Sequence, residues 1–267
     1  MSVDPAETLA ELTRELGPGA TLASADVAVL AAAASDHAQL RRWFKRRLAG
    51  EPLAHITGRF VFRGLEFAID KRAYVTDPEL THLVDAVLAS ARRLASTLGR
   101  APVLAEVGVG CGSLALSIKH ALPEAVVVGL ELDPDALAVA AHNARRHGLP
   151  LRLVESDLFA SWPADLPAPD LVYGDPPWGD EQMLYADDRP AGHYHAMPPA
   201  SAFPLGGPTG VHEQILRSLA ARGWTSEVWL NGGVIPRATL EALGRLTARH
   251  TVISPAPGLS LLGCNVS

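Results

Sequence analysis

The sequence predicts an α/β fold: a mostly parallel sheet with crossover helices, preceded by a small helical region and a β-hairpin. Three observations predict it. From about residue 102 onward, short apolar runs alternate with amphipathic helical segments. A glycine-rich turn, Glu106-Val107-Gly108-Val109-Gly110-Cys111-Gly112, separates the first such run from the first such helix. Before residue 76 the apolar spacing is first helical and then strand-like. The chain has 267 residues, which admits one large domain or a medium domain with a small appendage. Its 48 % hydrophobic content supplies a core and excludes disorder as a global state.

The elements follow in order. Leu9, Leu12 and Leu16, then Val27, Val29, Leu30 and Leu40, recur near helical spacing and are interrupted at Gly17-Pro18-Gly19. Residues 1–48 are therefore expected to form an N-terminal helical domain. Its last part, Arg41-Arg42-Trp43-Phe44-Lys45-Arg46-Arg47, is basic with two aromatics. It reads either as a solvated helix face with Trp43 or Phe44 buried, or as a contact for an acidic partner. Phe60-Val61-Phe62 and Leu65-Glu66-Phe67-Ala68-Ile69 flank Arg63-Gly64, which predicts a hairpin linker over 49–75. Residues 76–267 form the third unit. A helix begins at Asp77 with Leu80, Leu83, Val84, Val87 and Leu88 on one face. Strands are expected at 102–107, 125–130, 151–155, 170–173 and 227–230, with helices at 113–121, 135–147 and 213–221. Such alternation implies right-handed crossovers and ligand sites at the carboxyl ends of the strands. Residues 179–208 show little periodicity and are read as a long functional loop. His193, Tyr194 and His195 in it are candidates to line a pocket or carry protons, or else to face solvent.

Composition narrows the function classes. The formal charge of −6 argues against non-specific nucleic-acid binding, so a nucleic-acid partner is not expected. There is no apolar run long enough for a membrane helix, and Met1-Ser2-Val3-Asp4-Pro5 lacks a signal-peptide start. Cys111 and Cys264 make neither a disulfide framework nor a metal site. A reducing cytoplasm is the expected location.

The glycine turn carries the first chemistry. Gly108, Gly110 and Gly112 follow a strand and open a helix, where the backbone can approach a ligand closely. Alone, this pattern fits dinucleotides as well as S-adenosyl-L-methionine. Three acids at three successive strand ends sharpen it. Glu106 could bind the donor's ammonium group, Glu131 its ribose hydroxyls and Asp157 its adenine amino group, with Leu158 or Phe159 against the ring.

Asp175-Pro176-Pro177-Trp178 marks a fourth strand end. The prolines remove backbone donors and fix φ, so nearby carbonyls point in set directions. A planar amino nitrogen is a weak nucleophile because its lone pair is conjugated. Asp175 and the Pro176 carbonyl, by accepting its hydrogens, would orient it and favour charge build-up during methyl transfer. Trp178 offers a flat face to a planar group or a sulfonium. The expected activity is S-adenosylmethionine-dependent N-methylation.

Across almost its full length the chain resembles the release-factor glutamine N5-methyltransferases, the HemK/PrmC-like family. The resemblance is carried by Glu51-Pro52-Leu53-Ala54-His55-Ile56-Thr57-Gly58, Phe62-Arg63-Gly64-Leu65-Glu66-Phe67, Glu106 to Gly112, Glu131-Leu132-Asp133-Pro134-Asp135-Ala136, Asn143, Ser156-Asp157-Leu158-Phe159 and Leu205-Gly206-Gly207-Pro208-Thr209-Gly210. It implies a helical bundle, a hairpin linker and a Rossmann-like class I methyltransferase domain. It also implies that Asn143, like the glycine turn and the acids, sits where the family binds S-adenosylmethionine, and that the acceptor is a glutamine amide in a Gly-Gly-Gln loop.

Three departures fall on the acceptor side. The family's Asn-Pro-Pro-Tyr is Asp175-Pro176-Pro177-Trp178 here. Its Pro-Arg-Pro-(Asp/Glu)-Thr-Glu is Thr76-Asp77-Pro78-Glu79-Leu80-Thr81, and its Glu-Pro after the long loop is Pro199-Ala200. An ionised Asp only accepts hydrogen bonds, whereas Asn also donates. The expectation is therefore a family member with a diverged acceptor: a planar side-chain or small-molecule nitrogen of guanidine, amidine or amine type. The alternatives are the release-factor glutamine itself and an adenine N6 position. A non-catalytic module that keeps the donor pocket is a further, different class.

Overall fold

The computed structural model describes residues 4–17, 19, 21–179, 196–203 and 206–266. Three helices open the chain: α1 (Pro5–Leu16), α2 (Ser24–Ala33) and α3 (His37–Leu48). Asp4 caps α1 by accepting from the Ala6 N–H at 2.9 Å, and Asp36 caps α3 by accepting from the Gln39 N–H at 2.7 Å. Their apolar faces meet in a small core of Leu12, Leu30, Leu40, Phe44 and Ile56. Phe44 is the aromatic of the basic stretch that is fully buried. The charges around it are largely paired within the chain. Arg41 meets Glu11 and Glu15, Lys45 meets Glu15 at 2.8 Å, Arg46 meets Glu51 at 2.5 Å, and Arg47 meets Asp26 at 2.6 Å. The basic stretch is thus a helix face neutralised by its own neighbours.

A short helix, α4 (Leu53–Thr57), leads into the hairpin of β1 (Arg59–Phe62) and β2 (Leu65–Ala68). Arg63 and Gly64 both take positive φ, 50° and 81°, the tight reversal whose twist matches paired strands. The linker's characteristic residues anchor it. Glu51 holds Arg46, and the buried His55 ring bonds the Ala73 carbonyl at 3.1 Å. Burial pulls the His55 pKa below its ordinary value, so the ring is neutral there.

The remaining chain builds a seven-stranded sheet in the order β5-β4-β3-β6-β7-β9-β8. Its strands are β3 (Val103–Val107), β4 (Val126–Glu131), β5 (Arg152–Glu155), β6 (Leu171–Gly174), β7 (Glu227–Gly233), β8 (Arg249–Ala256) and β9 (Leu259–Asn265). The first five run parallel, and β9 lies antiparallel between β7 and β8. The helices are α5 (Thr81–Leu98, entered by a 3-10 turn at Pro78–Leu80), α6 (Ser113–Ala121), α7 (Pro134–His147), α8 (Pro199–Ala202), α9 (Gly210–Ala221) and α10 (Arg237–Gly244). Two apolar layers cover the two faces of the sheet.

The strand order reverses between β3, with β4 and β5 to one side, and β6, with β7 to the other. That switch point opens a crevice at the carboxyl ends of the strands. The close approach there depends on Gly174, where a Cβ would lie 2.6 Å from the Val107 carbonyl oxygen. Among the described residues no helix is long and apolar enough to cross a membrane.

Candidate active site

A cavity of about 430 Å³ occupies the crevice, within the range of small-ligand sites. It brings together Glu106, Gly108, Gly110, Glu131, Asp157 and Leu158 from the expected donor side. It also brings Asp175, Pro176, Pro177 and Trp178 from the expected acceptor side. The sequence separates these two groups, and the parallel strand ends join them.

Gly108, Gly110 and Gly112 all take positive φ, of 72°, 53° and 85°. The first two line the cavity, whereas Gly112 stands behind its wall as the N-cap of α6. A Cβ on Gly112 would meet Ala140 Cβ and Leu116 Cδ1 at 3.3 Å, so this glycine serves helix packing rather than ligand approach. Glu131 is held by the turn itself. Its Oε2 accepts from the Gly110 N–H at 2.8 Å, and its Oε1 accepts from the N–H groups of Leu132 at 2.9 Å and Asp133 at 3.1 Å. These bonds fix the carboxylate at the cavity edge and leave lone-pair capacity for further donors.

Glu106 is the buried acid of the site. Burial pushes its carboxyl well above the usual carboxylate range, and the charges of Glu131 and Asp175 add to the rise. The Tyr173 hydroxyl lies near enough to act against it. Even so, Glu106 Oε2 and the Tyr173 hydroxyl each lack a formed hydrogen bond among the described residues. Glu106, Glu131 and Asp175 therefore face one cavity, and a cation would relieve their mutual repulsion. S-adenosylmethionine, with its sulfonium and ammonium groups, fits that demand.

Asp157 is exposed at the rim, and Leu158 follows it with φ 46°, an unusual conformation for a leucine. Leu158 lines the cavity. Phe159, the other candidate for the ring contact, is fully buried and packs edge-on against Trp224 with centroids 5.6 Å apart. Asn143 lies in the core, away from the cavity. Its Oδ1 accepts from the Ala68 N–H, and its Nδ2 donates to the carbonyls of Ala68 and Cys111, all at 2.9 Å. It staples the hairpin and the glycine turn to α7.

On the acceptor side, Asp175 Oδ1 accepts from Asn231 Nδ2 at 2.7 Å. Asn231 Oδ1 accepts in turn from the Gly233 N–H at 2.8 Å, and the Asn231 carbonyl accepts from His212 Nε2 at 2.6 Å. Burial lowers the His212 pKa to about 4, so its ring is neutral at physiological pH. Trp178 lies against Gly233, where a Cβ would sit 2.2 Å from the indole. The Gly179 N–H donates to the Pro208 carbonyl at 3.1 Å and ties the far end of the tetrapeptide to the later glycine motif.

The fifth strand runs past its expected end at Leu230 through Asn231, Gly232 and Gly233, which no motif in the sequence marks. The available signal was an asparagine with two glycines directly after a buried strand. Two of the three departures from the family pattern lie on the cavity, Asp77 and the tetrapeptide; the third, Pro199-Ala200, is not part of the lining, although its neighbours Pro198, Ser201 and Ala202 are. His193, Tyr194, His195 and Leu205 lie outside the described residues. Among the described residues no group of His, Cys, Asp and Glu is arranged to hold a metal ion.

Residues 104–175 match a family model described as a methyltransferase domain. A release factor glutamine methyltransferase from Deinococcus radiodurans is 36 % identical over 143 residues, 53 % of this chain and 49 % of that protein. One from Burkholderia pseudomallei is 41 % identical over 122 residues, 43 % of this chain and 41 % of that protein. One from Bradyrhizobium diazoefficiens is 32 % identical over 175 residues, 63 % of this chain and 58 % of that protein. The chain spans about half the length of the curated relatives it matches.

Among solved structures, a T. thermophilus 16S rRNA N2 methyltransferase in complex with AdoMet and guanosine superposes with a TM-score of 0.51 at 17 % identity. It covers 78 % of this chain and 50 % of its own. The hMettl16 catalytic domain, solved with an RNA hairpin, gives 0.55 at 12 % identity, covering 91 % and 82 %. These two likenesses show the fold. The chain thus carries an S-adenosylmethionine-dependent methyltransferase domain of Rossmann-like class I architecture, and relatives that bear the name bear out its resemblance to the release factor glutamine methyltransferases.

Proposed function

We propose that the protein transfers a methyl group from S-adenosylmethionine to the side-chain amide nitrogen of a glutamine in a peptide chain release factor. The observation that carries this reading is the single cavity shared by the glycine turn, the acids and the tetrapeptide. The relatives' names supply the acceptor. When bound, S-adenosylmethionine supplies an activated methyl on a sulfonium. The chain's own residues do the rest. Glu106 and Glu131 favour the donor's positive charge. Asp175 and the Pro176 carbonyl accept hydrogen bonds from the amide nitrogen, turning its lone pair toward the methyl and stabilising the charge that builds there. As the new N–C bond forms, the methyl's bond to the donor sulfur would break, the donor would leave as a neutral thioether, and the nitrogen's proton would pass to the Asp175 carboxylate and on to solvent. Trp178 walls the planar group.

A second reading is favoured by Asp175 itself. An acid where the relatives' pattern has an amide suits an N–H-rich acceptor such as the guanidine of an arginine-like amino acid. Labelled S-adenosylmethionine offered in parallel to a release factor and to free arginine separates the two. Label on the glutamine-containing peptide supports the first, and label on arginine alone replaces it with the second. Asp175→Ala should cut turnover on whichever acceptor works by roughly a hundredfold. Asp175→Asn should shift preference toward the amide acceptor, and an unchanged preference refutes the role given to this side chain.

A further inference from the structure

The end of β7, Asn231 to Gly233, touches both ends of the acceptor tetrapeptide. We propose that Asn231 is a positioning residue for the transfer. It demands a hydrogen-bond-accepting atom at position 175 and, through Gly233, sets the seat of Trp178. The proposal rests on the reading of this cavity as the transfer site, and it holds for either acceptor.

The orientation of the Asn231 amide follows from its partners. The Gly233 N–H can only donate, so the atom 2.8 Å away must be Oδ1. The amino group is then left pointing at Asp175 Oδ1, 2.7 Å away. Asn231 is buried, so neither bond is exchanged for water. Its backbone is held as well: a carbonyl only accepts, so His212 carries its proton on Nε2 and donates to the Asn231 oxygen from α9. Gly233 takes φ +48°, and the space a Cβ would fill is taken by the Trp178 indole. One buried amide therefore clamps Asp175 directly and shapes the platform under Trp178.

The clamp decides how the difference between Asp and Asn is read. Either residue can present an oxygen to Asn231 Nδ2. With that oxygen engaged, the other terminal atom differs in kind: Oδ2 of Asp175 only accepts hydrogen bonds, where the NH₂ of an asparagine donates them. Asn231 thus turns the choice of residue at 175 into a choice of hydrogen-bond polarity at the second terminal atom.

Reversing the clamp tests this. Asn231→Asp sets two carboxylates against each other. The double variant Asp175→Asn with Asn231→Asp restores one hydrogen bond with its direction reversed and again leaves an oxygen as the second atom at 175. Three signals are read: the Trp178 fluorescence, taken as the difference from a Trp178→Phe partner of each variant; the affinity for S-adenosylhomocysteine; and methyl transfer to a release factor. For N231D we expect a changed Trp178 signal, a kcat lowered roughly a hundredfold and an S-adenosylhomocysteine affinity within about twofold of the parent. The double variant should regain the parental Trp178 signal and recover about tenfold or more of the lost kcat. An N231D protein with an unchanged Trp178 signal and kcat, or a double variant no better than N231D, overturns the proposal. Should N231D fail to fold, Asn231→Ala is judged by the same signals. If the parent does not methylate a release factor, that reading fails alone, and the Trp178 and affinity arms still decide the role of Asn231.

Discussion

The donor and acceptor halves of the cavity are built on different plans. The donor half is local. Its glycines and Glu131 come from two adjacent strand ends, and Glu131 is fixed by N–H groups of its own turn and of Gly110. The acceptor half is assembled from segments far apart in the chain: Thr76 and Asp77, the tetrapeptide, α8, the glycine motif around Pro208, and the end of β7 at 231–233. A local half tolerates change elsewhere. An assembled half can be retuned by residues that never meet the substrate, so acceptor choice can drift while the donor chemistry stays put.

The largest test strikes the assembled half. Gly233→Val places a branched side chain at φ +48° where the Trp178 ring already sits. Backbone strain and overpacking together should remove about 2–4 kcal/mol of stability, read by denaturant titration. Turnover should be lost while S-adenosylhomocysteine still binds. Donor binding lost in step with the acceptor side would show that the halves are not separable.

The second test is pH. His212 has a folded-state pKa of about 4 against the ordinary 6.5. Its lowered value means that the unfolded chain takes up the proton first as pH falls. The stability from the neutral ring is complete above 6.5 and is lost on the way down to 4, about 3 kcal/mol in all. Glu106 acts in the opposite sense, because its raised pKa removes stability as pH climbs above 4.5. The difference between the stability curves of the parent and of His212→Gln isolates the histidine. A flat difference across that window refutes a buried, neutral His212.

Two smaller tests address the donor half. Glu131→Gln sets an NH₂ against at least one backbone N–H, so donor affinity should fall about tenfold by calorimetry, with the Trp178 signal unmoved. Leu158→Asn suits the positive φ better but removes apolar wall. Unfolding temperature should barely change, while donor affinity falls roughly fivefold, on the order of 1 kcal/mol of lost contact.

Much of the fold is written locally. The helix at 113–121 begins and ends where its apolar spacing says, and the hairpin turns where Arg63-Gly64 says. The C-terminal hairpin is not legible in this way. β8 is an edge strand whose residues are mostly exposed, so no apolar alternation marks it, and the Pro257-Gly258 turn and the apolar run of β9 stand without a visible partner strand before them. Asn231-Gly232-Gly233 has the composition of a turn, yet it continues β7 because β9 pairs with it at Asn231 and Gly233, across a register shift. Asn143, which family resemblance assigns to the donor region, turns out to tie three backbone groups together behind it.

The amino-acid order alone sets the glycine turn, the acids at successive strand ends and the chemistry at position 175, because each depends on backbone conformation and residue type within a few positions. It leaves open which oxygen of Asp175 Asn231 engages, where Trp178 rests and that Gly112 and Phe159 stand off the cavity. Those depend on contacts between groups that only the folded sheet brings together, such as Asp175 and Asn231, 56 positions apart. Hydrogen-bond direction and ring packing are fixed by the partner, and the partner is chosen by the topology.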